Sequence, residues 1–302
     1  MLSNNQVKKI GKRLRSGDYS SSDIQFLDEY RRSFDEILVR TTSTLTRVNA
    51  SLGQRAVIGG RSKRSKSIIR KLRRPENRGM ALGRMADIVG VRAVVRGIDQ
   101  QQALFDALID KFEDLKIVDY RDSGQNYRAI HLIVKSQNRI IEIQIRTLEQ
   151  QLWANESESF GEEVKEGGGA EMIQAYLTEL SNICMKIEID SSTMPSIFVS
   201  SRFDSRGVFD IYWPRLQRNF NNIPKDDLKS EKENSYIMIY DSKINQMSQM
   251  LEFAPEERSK ATLEYQDICG NIDDDRFEAL IINSPSKFAM RITHPRFFAE
   301  DI

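Results

Sequence analysis

Residues 130–147, IHLIVKSQNRIIEIQIRT, restrict the fold of this chain more than any other stretch. Two apolar runs with two-residue alternation flank a short polar turn, a period that belongs to an antiparallel hairpin and not to a helix. Ile141, Ile143 and Ile145 share one face, and Ile130, Leu132 and Val134 complete it from the partner strand. The other face carries His131, Glu142, Gln144 and Arg146: an imidazole, an acid, an amide and a guanidinium. A solvated antiparallel face has the same alternation. The pattern alone leaves two readings open, a wet outer surface or the floor of a site.

The surrounding segments supply layers for such a hairpin. Ile24, Leu27, Tyr30, Phe34, Ile37 and Leu38 recur at helical spacing within 22–52, and Gly59-Gly60 breaks that pattern. A basic segment, RSKRSKSIIRKLRRPENRG, follows, and then IVGVRAVVRGI (88–98) reads as a strand and QQALFDALIDKFEDL (101–115) as an amphipathic helix. Residues 148–164 and 170–187 read as helices on either side of Gly167-Gly168-Gly169. From about 195, GVFDIYWP and SYIMIYD read as strands, SKINQMSQMLEF as a helix, and RFEALIINSPSKFAMRI as strand, turn and helix. The expected class is α+β: a helical N-terminal region (1–55), a mixed-sheet core (56–165), a linking helix (166–194) and a small C-terminal α/β domain (195–302).

Composition excludes several chemistries. The chain has 302 residues, 45 Lys+Arg against 44 Asp+Glu, so any attraction to a polyanion has to be local. No apolar run reaches the ~18 residues of a membrane span, and the first residues lack the apolar core of a signal peptide. Cys184 and Cys269 form no CxxC motif, and a reducing cytoplasm is the expected setting. With His131 and His294 the only histidines, a His/Cys metal site and a Ser-His-Asp triad are both disfavoured.

Four further features accompany the polar hairpin face. Lys63, Ser67 and Lys71 fall at i, i+4 and i+8, one helical face, after Gly59-Gly60 and Arg61. A flexible turn at Gly59-Gly60 feeding such a cationic helix can grip a polyphosphate; a solvated basic helix or a nucleic-acid patch has the same pattern. Asp87 precedes a buried-looking strand, where a carboxylate can reach a metal ion or simply cap a turn. Tyr127, between Asn126 and Arg128, offers an aromatic face to a base, or packs at a strand entry.

Taken together, RSKRSKSIIRKL, DIVGVR, NYRAIH and EIQIRT with Trp153 resemble, in order and rough spacing, the RelA/SpoT-type (p)ppGpp synthetase domain. The resemblance runs from about Arg61 to Trp153. It implies a nucleotidyltransferase-like mixed-sheet core that transfers the β,γ-pyrophosphate of ATP to the 3′-hydroxyl of GDP or GTP with Mg²⁺. It implies that Arg61, Lys63, Ser67 and Lys71 hold the ATP phosphates and that Asp87 and Glu142 coordinate Mg²⁺. Glu142 would also take the proton of the attacking hydroxyl. Tyr127 would stack on the acceptor base, while Arg128, His131, Gln144 and Arg146 would orient the acceptor ribose and phosphates.

RDSGQNYR departs from the family's commoner Lys-Pro-Asn-Gly before Tyr-Arg, with Asn126 where the glycine stands. The companion hydrolase needs a His-Asp pair that this chain lacks, so synthesis without degradation is expected. NYRAIH with a C-terminal extension looks like stand-alone members, some of them toxins that pyrophosphorylate the 3′ end of tRNA. The acceptor therefore stays open between guanine nucleotide and tRNA, and an inactive nucleotide sensor is the reading from another class. The region from about 195 stays open between a neutralising or sensing domain and a stability or homo-oligomerisation module.

Overall fold

The computed structural model describes residues 3–136, 139–160, 170–190, 208, 213–230, 232–241, 243–244, 246–272, 276–295 and 298. Three helices open the chain: α1 (Asn4–Ser16), α2 (Ser21–Arg32) and α3 (Asp35–Ser51). Strand β1 (Val57–Ser62) leads to the basic helix α4 (Ser65–Arg73), then β2 (Val89–Val95), α5 (Ile98–Ile109) and β3 (Leu115–Asp119). The hairpin is β4 (Ile130–Ser136) and β5 (Arg139–Thr147), followed by α6 (Leu148–Ser159) and α7 (Glu171–Ile189). The C-terminal part contains α8 (Trp213–Asn221), α9 (Lys225–Lys229), β6 (Asn234–Asp241), β7 (Gln246–Phe253), α10 (Arg258–Asn271), β8 (Phe277–Ser284) and α11 (Lys287–Thr293).

The strands form one sheet in the order β3-β4-β5-β2-β1-β8-β6-β7. β2 and β5 run parallel, and the other described pairings are antiparallel. The class is α+β with a mixed sheet. The described strands after residue 195, β6, β7 and β8, join this same sheet, because β8 pairs with β1 at Gly60–Asn283 and Arg61–Ile282. Ile141, Ile143 and Ile145 of β5, with Val89, Val91, Ala93 and Val95 of β2, bury one sheet face beneath Leu38 and Leu45 of α3 and Leu104 and Leu108 of α5. On the opposite face, α6, α7, α8 and α11 close a second cluster over Val57 and Val94.

Three expectations change. The segment 242–253 reads as a helix because Met247, Met250 and Leu251 are spaced three and four apart, yet Gln246–Phe253 is strand β7. A register shift between Ile239 and Tyr240 sets Met247 against Tyr240 and Met250 against Met238. That bulge adds one residue to β7 and mimics helical spacing. Gly59-Gly60 is no turn but the middle of β1. A Cβ at Gly59 would lie 3.1 Å from Thr293 Oγ1, and one at Gly60 would lie 3.0 Å from Leu38 Cδ1, so close packing from both faces calls for glycine here. Of the expected strand GVFDIYWP, residues 207 and 209–212 lie outside the described residues, and Trp213-Pro214 begin helix α8. The break expected at Gly167-Gly168-Gly169 lies outside them too. Among the described residues no helix is long and apolar enough to cross a membrane.

Candidate functional site

The sheet register brings the polar residues into rows. Gly59, Arg92, Gln144 and His131 are successive partners across β1, β2, β5 and β4. In the next row stand Arg61, Gly90, Glu142 and Ile133. Gly90 leaves an open position between the Arg61 and Glu142 side chains. The hairpin face is thus the interior floor of a four-stranded site, not a wet outer surface.

At one edge stands Asp87, just before β2. Its Oδ2 accepts from Lys63 Nζ and Lys71 Nζ, each at 2.8 Å. Lys63 is held in place because its backbone N–H donates to the Ile88 carbonyl at 2.7 Å. Lys71 comes from the inner side of α4, where Ser67 one turn earlier is buried. Burial pushes the Asp87 carboxyl up, but the two ammonium groups outweigh it and hold the group well below the usual carboxylate range. The other oxygen, Oδ1, is buried and has no hydrogen-bond partner.

Glu142 lies close enough for the Asp87 charge to oppose its ionisation. His131 Nδ1 is 3.0 Å from Glu142 Oε1, and Gln144 Nε2 donates to Oε2 at 2.8 Å. Burial raises the Glu142 carboxyl, and these hydrogen bonds overcome it, so the group stays ionised below its ordinary range. The chain continues from His131 Nε2 to the Tyr127 hydroxyl at 2.6 Å, which also accepts from Arg146 Nη2 at 2.8 Å. Arg146 can only donate, so the Tyr127 oxygen accepts from it; with the Tyr127 hydrogen on His131 Nε2, the ring's Nδ1–H is left to donate to Glu142. Arg146 is fully buried, with Nη1 donating to Gln151 Oε1 on α6 at 3.1 Å. Gln151 in turn donates to Asn155 at 2.8 Å. Thr147 starts α6 with a reciprocal cap to Gln150, which fixes the end of β5 that carries Arg146.

At the far end the site is cationic and roofed. Arg92 is buried and donates to the backbone carbonyl of Thr293, at the end of α11. Burial and the neighbouring Arg146 and Arg61 charges lower its guanidinium to about 9. His294 is buried beside the same arginines, and burial drives its imidazole well below the ordinary range.

Ten of the eleven side chains singled out in the sequence lie in or beside this floor. Arg128 does not. Its guanidinium pairs with the buried Glu188 carboxylate on α7, and Nε donates to the Arg121 carbonyl at 3.1 Å. Glu188 also accepts from Thr147 Oγ1. Conversely, the sequence pattern does not single out Arg92, Gln151, Thr293 or His294. Arg92 has one legible signal, a charge inside the Val-rich run IVGVRAVV. The other three depend on the packing of α6 and α11.

Among the described residues no group of three or more His, Cys, Asp or Glu is placed to hold a metal. The residues present nevertheless fit Mg²⁺, which takes one or two carboxylates and leaves other positions to water and substrate phosphates. Asp87 Oδ1 is a buried carboxylate oxygen without a partner, and Glu142 stands near it.

Comparison with known proteins finds the following similarities. Residues 60–160 match the family described as "Region found in RelA / SpoT proteins". The GTP pyrophosphokinase YjbM of Bacillus subtilis is 27% identical over 183 residues, covering 56% of this chain and 86% of that protein. An uncharacterized protein of Mycobacterium tuberculosis is 29% identical over 163 residues, covering 51% of this chain and 56% of that protein. Among solved structures, small alarmone synthetase 1 from Bacillus subtilis bound to its product pppGpp superposes with a TM-score of 0.44 at 24% identity, covering 56% of this chain and 93% of that one.

Proposed function

We propose that this chain, whose residues 60–160 are a RelA/SpoT-type region, is a pyrophosphotransferase that moves the β,γ-pyrophosphate of ATP to the 3′-hydroxyl of GDP or GTP. The observation that carries this reading is the pair Asp87 and Glu142, two neighbouring ionised carboxylates set among fixed cations and donors. Transfer of this kind needs positioning and charge neutralisation more than covalent chemistry from the protein. The name of the Bacillus subtilis relative, GTP pyrophosphokinase, supports the same reaction.

Arg61, Lys63, Ser67 and Lys71 take the ATP phosphates. Lys63 and Lys71 already converge on Asp87, so a phosphate arriving there meets two ammonium groups held in place. Asp87 and Glu142 would hold Mg²⁺, which supplies charge neutralisation on the phosphates. Glu142 accepts the proton of the attacking hydroxyl, held in orientation by His131 Nδ1–H and Gln144. Tyr127 offers its ring to the acceptor base, while its hydroxyl ties Arg146 to His131. Gln144, His131 and Arg146 line the acceptor side, and Arg128 joins them only by leaving Glu188.

A second reading, transfer to the 3′ end of tRNA, draws support from Lys66, Arg70, Arg73 and Arg74, which line a separate trough on α4. One panel separates the two: γ-labelled ATP with GDP, GTP, ATP or deacylated tRNA, resolved by thin-layer chromatography and gel. Label in a guanine nucleotide is expected; label in tRNA alone moves the acceptor to RNA, and no label with any acceptor overturns both. The same panel with ppGpp and Mn²⁺ is expected to leave ppGpp intact.

A further inference from the structure

A second polar cavity lies on the other face of the sheet, where α2 and α3 meet α10 and β8. Its volume is ≈ 30 Å³, and Asp28, Arg31, Arg32, Asp35, Arg258 and Asn283 line it. Of its eleven lining residues only Ser62 falls within 60–160, the region that carries the site described above. Ser62 pairs with Val89, and Asn283 pairs with Gly60. Strand alternation therefore turns both away from Arg61 and Glu142.

The donors of this cavity outnumber the acceptors that reach them. Arg31 is 5% exposed, with Nη1 donating to Asp28 Oδ1 at 3.0 Å and Ser65 Oγ at 3.1 Å. Its Nη2 donates to the Tyr265 hydroxyl at 3.2 Å. Arg31 Nε is buried without a hydrogen-bond partner, and so is Arg258 Nη2. Asn283 Oδ1 accepts from Ser235 Oγ at 2.9 Å, which leaves the N–H groups of its amide as donors. Arg32 is exposed and brings the lining to solvent. Asp35 is the acid set against these donors: burial raises its carboxyl, and the charges of Arg258, Arg31 and Arg32 oppose that rise. Glu233, the other acid near Arg258, lines a different cavity. Buried N–H groups left unpaired are costly, and they call for a bound ion or water.

We infer that this cavity binds one orthophosphate ion in a protonated form. About 10–15 Å³ holds a single water, so ≈ 30 Å³ admits one small oxyanion and no nucleotide. Unpaired N–H groups from two guanidiniums, with the Asn283 amide, suit a tetrahedral oxyanion. Asp28 does not oppose it, because Arg31 and Ser65 already engage that carboxylate. Asp35 selects among oxyanions. A protonated phosphate donates its P–OH to the carboxylate, whereas sulfate has only acceptors and meets Asp35 as a like charge. The inference is independent of the proposed pyrophosphate transfer.

The test is isothermal titration calorimetry of the full chain with orthophosphate near neutral pH in a chloride buffer, repeated with sulfate. Wild type is expected to bind phosphate at least about tenfold more tightly than sulfate, the worth of one charged hydrogen bond. Arg258→Gln is expected to weaken phosphate binding at least about tenfold for the same reason. Thr262→Met, which fills the cavity from α10 and removes no charge, is expected to weaken it as well. Asp35→Asn is expected to let sulfate bind as tightly as phosphate. Lys71→Ala is expected to bind phosphate as wild type does, which separates this cavity from the lysines at Asp87. Thermal unfolding shows that each variant is folded, and Thr262→Met carries the test if Arg258→Gln is not. No binding of phosphate by wild type overturns the inference, since the cavity then holds water only. So does binding that Lys71→Ala abolishes and the cavity variants spare, or sulfate bound by wild type as tightly as phosphate.

Discussion

The two ends of the polar face solve the same electrostatic problem in opposite ways. At the Asp87–Glu142 end, each carboxylate has its own donors: two lysines on Asp87, and His131 with Gln144 on Glu142. At the α11 end, Arg61, Arg92 and Arg146 crowd one another with Glu158 as a partial counter-charge, and Arg92 donates to a neutral carbonyl. The two carboxylates at the first end are kept ionised, and at the second end burial and like charges lower the Arg92 guanidinium. Such groups are costly to bury without partners. The first end is built to hold charge in register for chemistry. The second gathers three cations against the single Glu158 charge.

The largest expected effect lies at the carboxylate end. Glu142→Gln removes the acceptor of the hydroxyl proton while keeping the side chain's shape, and turnover should fall by about 10²–10⁴-fold. A turnover within threefold of wild type breaks the assignment of Glu142 as base. Next come Lys63→Ala and Lys71→Ala. Each removes one charged hydrogen bond to Asp87, worth ~1.5–3 kcal/mol, so kcat/KM for ATP should drop by about 10- to 150-fold. Lys9→Ala, an exposed cation on α1, should leave it unchanged. Equal behaviour of the three variants would show that this end works as a diffuse field and not as a fitted clasp.

How far this contrast is legible in the sequence depends on the distance over which it is set. The hairpin face is local: alternation places Glu142, Gln144 and Arg146 together, and the i, i+4 spacing places Ser67 and Lys71 on one side of α4. The cationic end is not local. Thr293 reaches Arg92 across a sequence separation of 201, through the packing of α11 over Gly59. Gly59-Gly60 shows the same limit. The pair reads as a turn from its chemistry, and only the approach of Thr293 and Leu38 from opposite sides explains why side chains are absent there. Arg128 is drawn away from its neighbours by Glu188, whose place on α7 no pattern near NYRAIH announces.

A smaller effect is expected at Tyr127, which joins the two ends. Its hydroxyl links Arg146 to His131, so Tyr127→Phe leaves a buried guanidinium N–H unpaired and should cost about 1–3 kcal/mol of folding stability. Its ring remains, and acceptor KM should move less than it does in Tyr127→Ala. Denaturant unfolding and steady-state kinetics on the two variants measure these separately. A Phe variant as stable as wild type would mean that the two ends are not coupled through this hydroxyl.

The smallest effect tests the cationic end by pH. Thr293 Oγ1 donates to the Ala289 carbonyl, so it accepts from His294 Nδ1–H, and burial favours the neutral imidazole. The charges around it are Arg61, Arg92 and Arg146, which oppose protonation, and Glu158, which favours it. Burial and these arginines depress its folded pKa below the unfolded value of ~6.5. The unfolded chain binds the proton first, so stability is complete above pH ~6.5 and falls by up to about 1.4 kcal/mol per pH unit below it. Two buried acids act in the reverse sense. Burial raises Glu149 and Glu233 to about 7, so each adds stability as pH falls from 7 toward the unfolded value. Comparing wild type with His294→Asn cancels those two contributions, because Asn keeps a donor near the Nδ1 position without the titration. The stability difference should shift in favour of the Asn variant as pH falls from 7 to 5.5. A difference independent of pH would show that the roof over the arginines already opens to solvent, and the contrast between the two ends would lose its electrostatic basis.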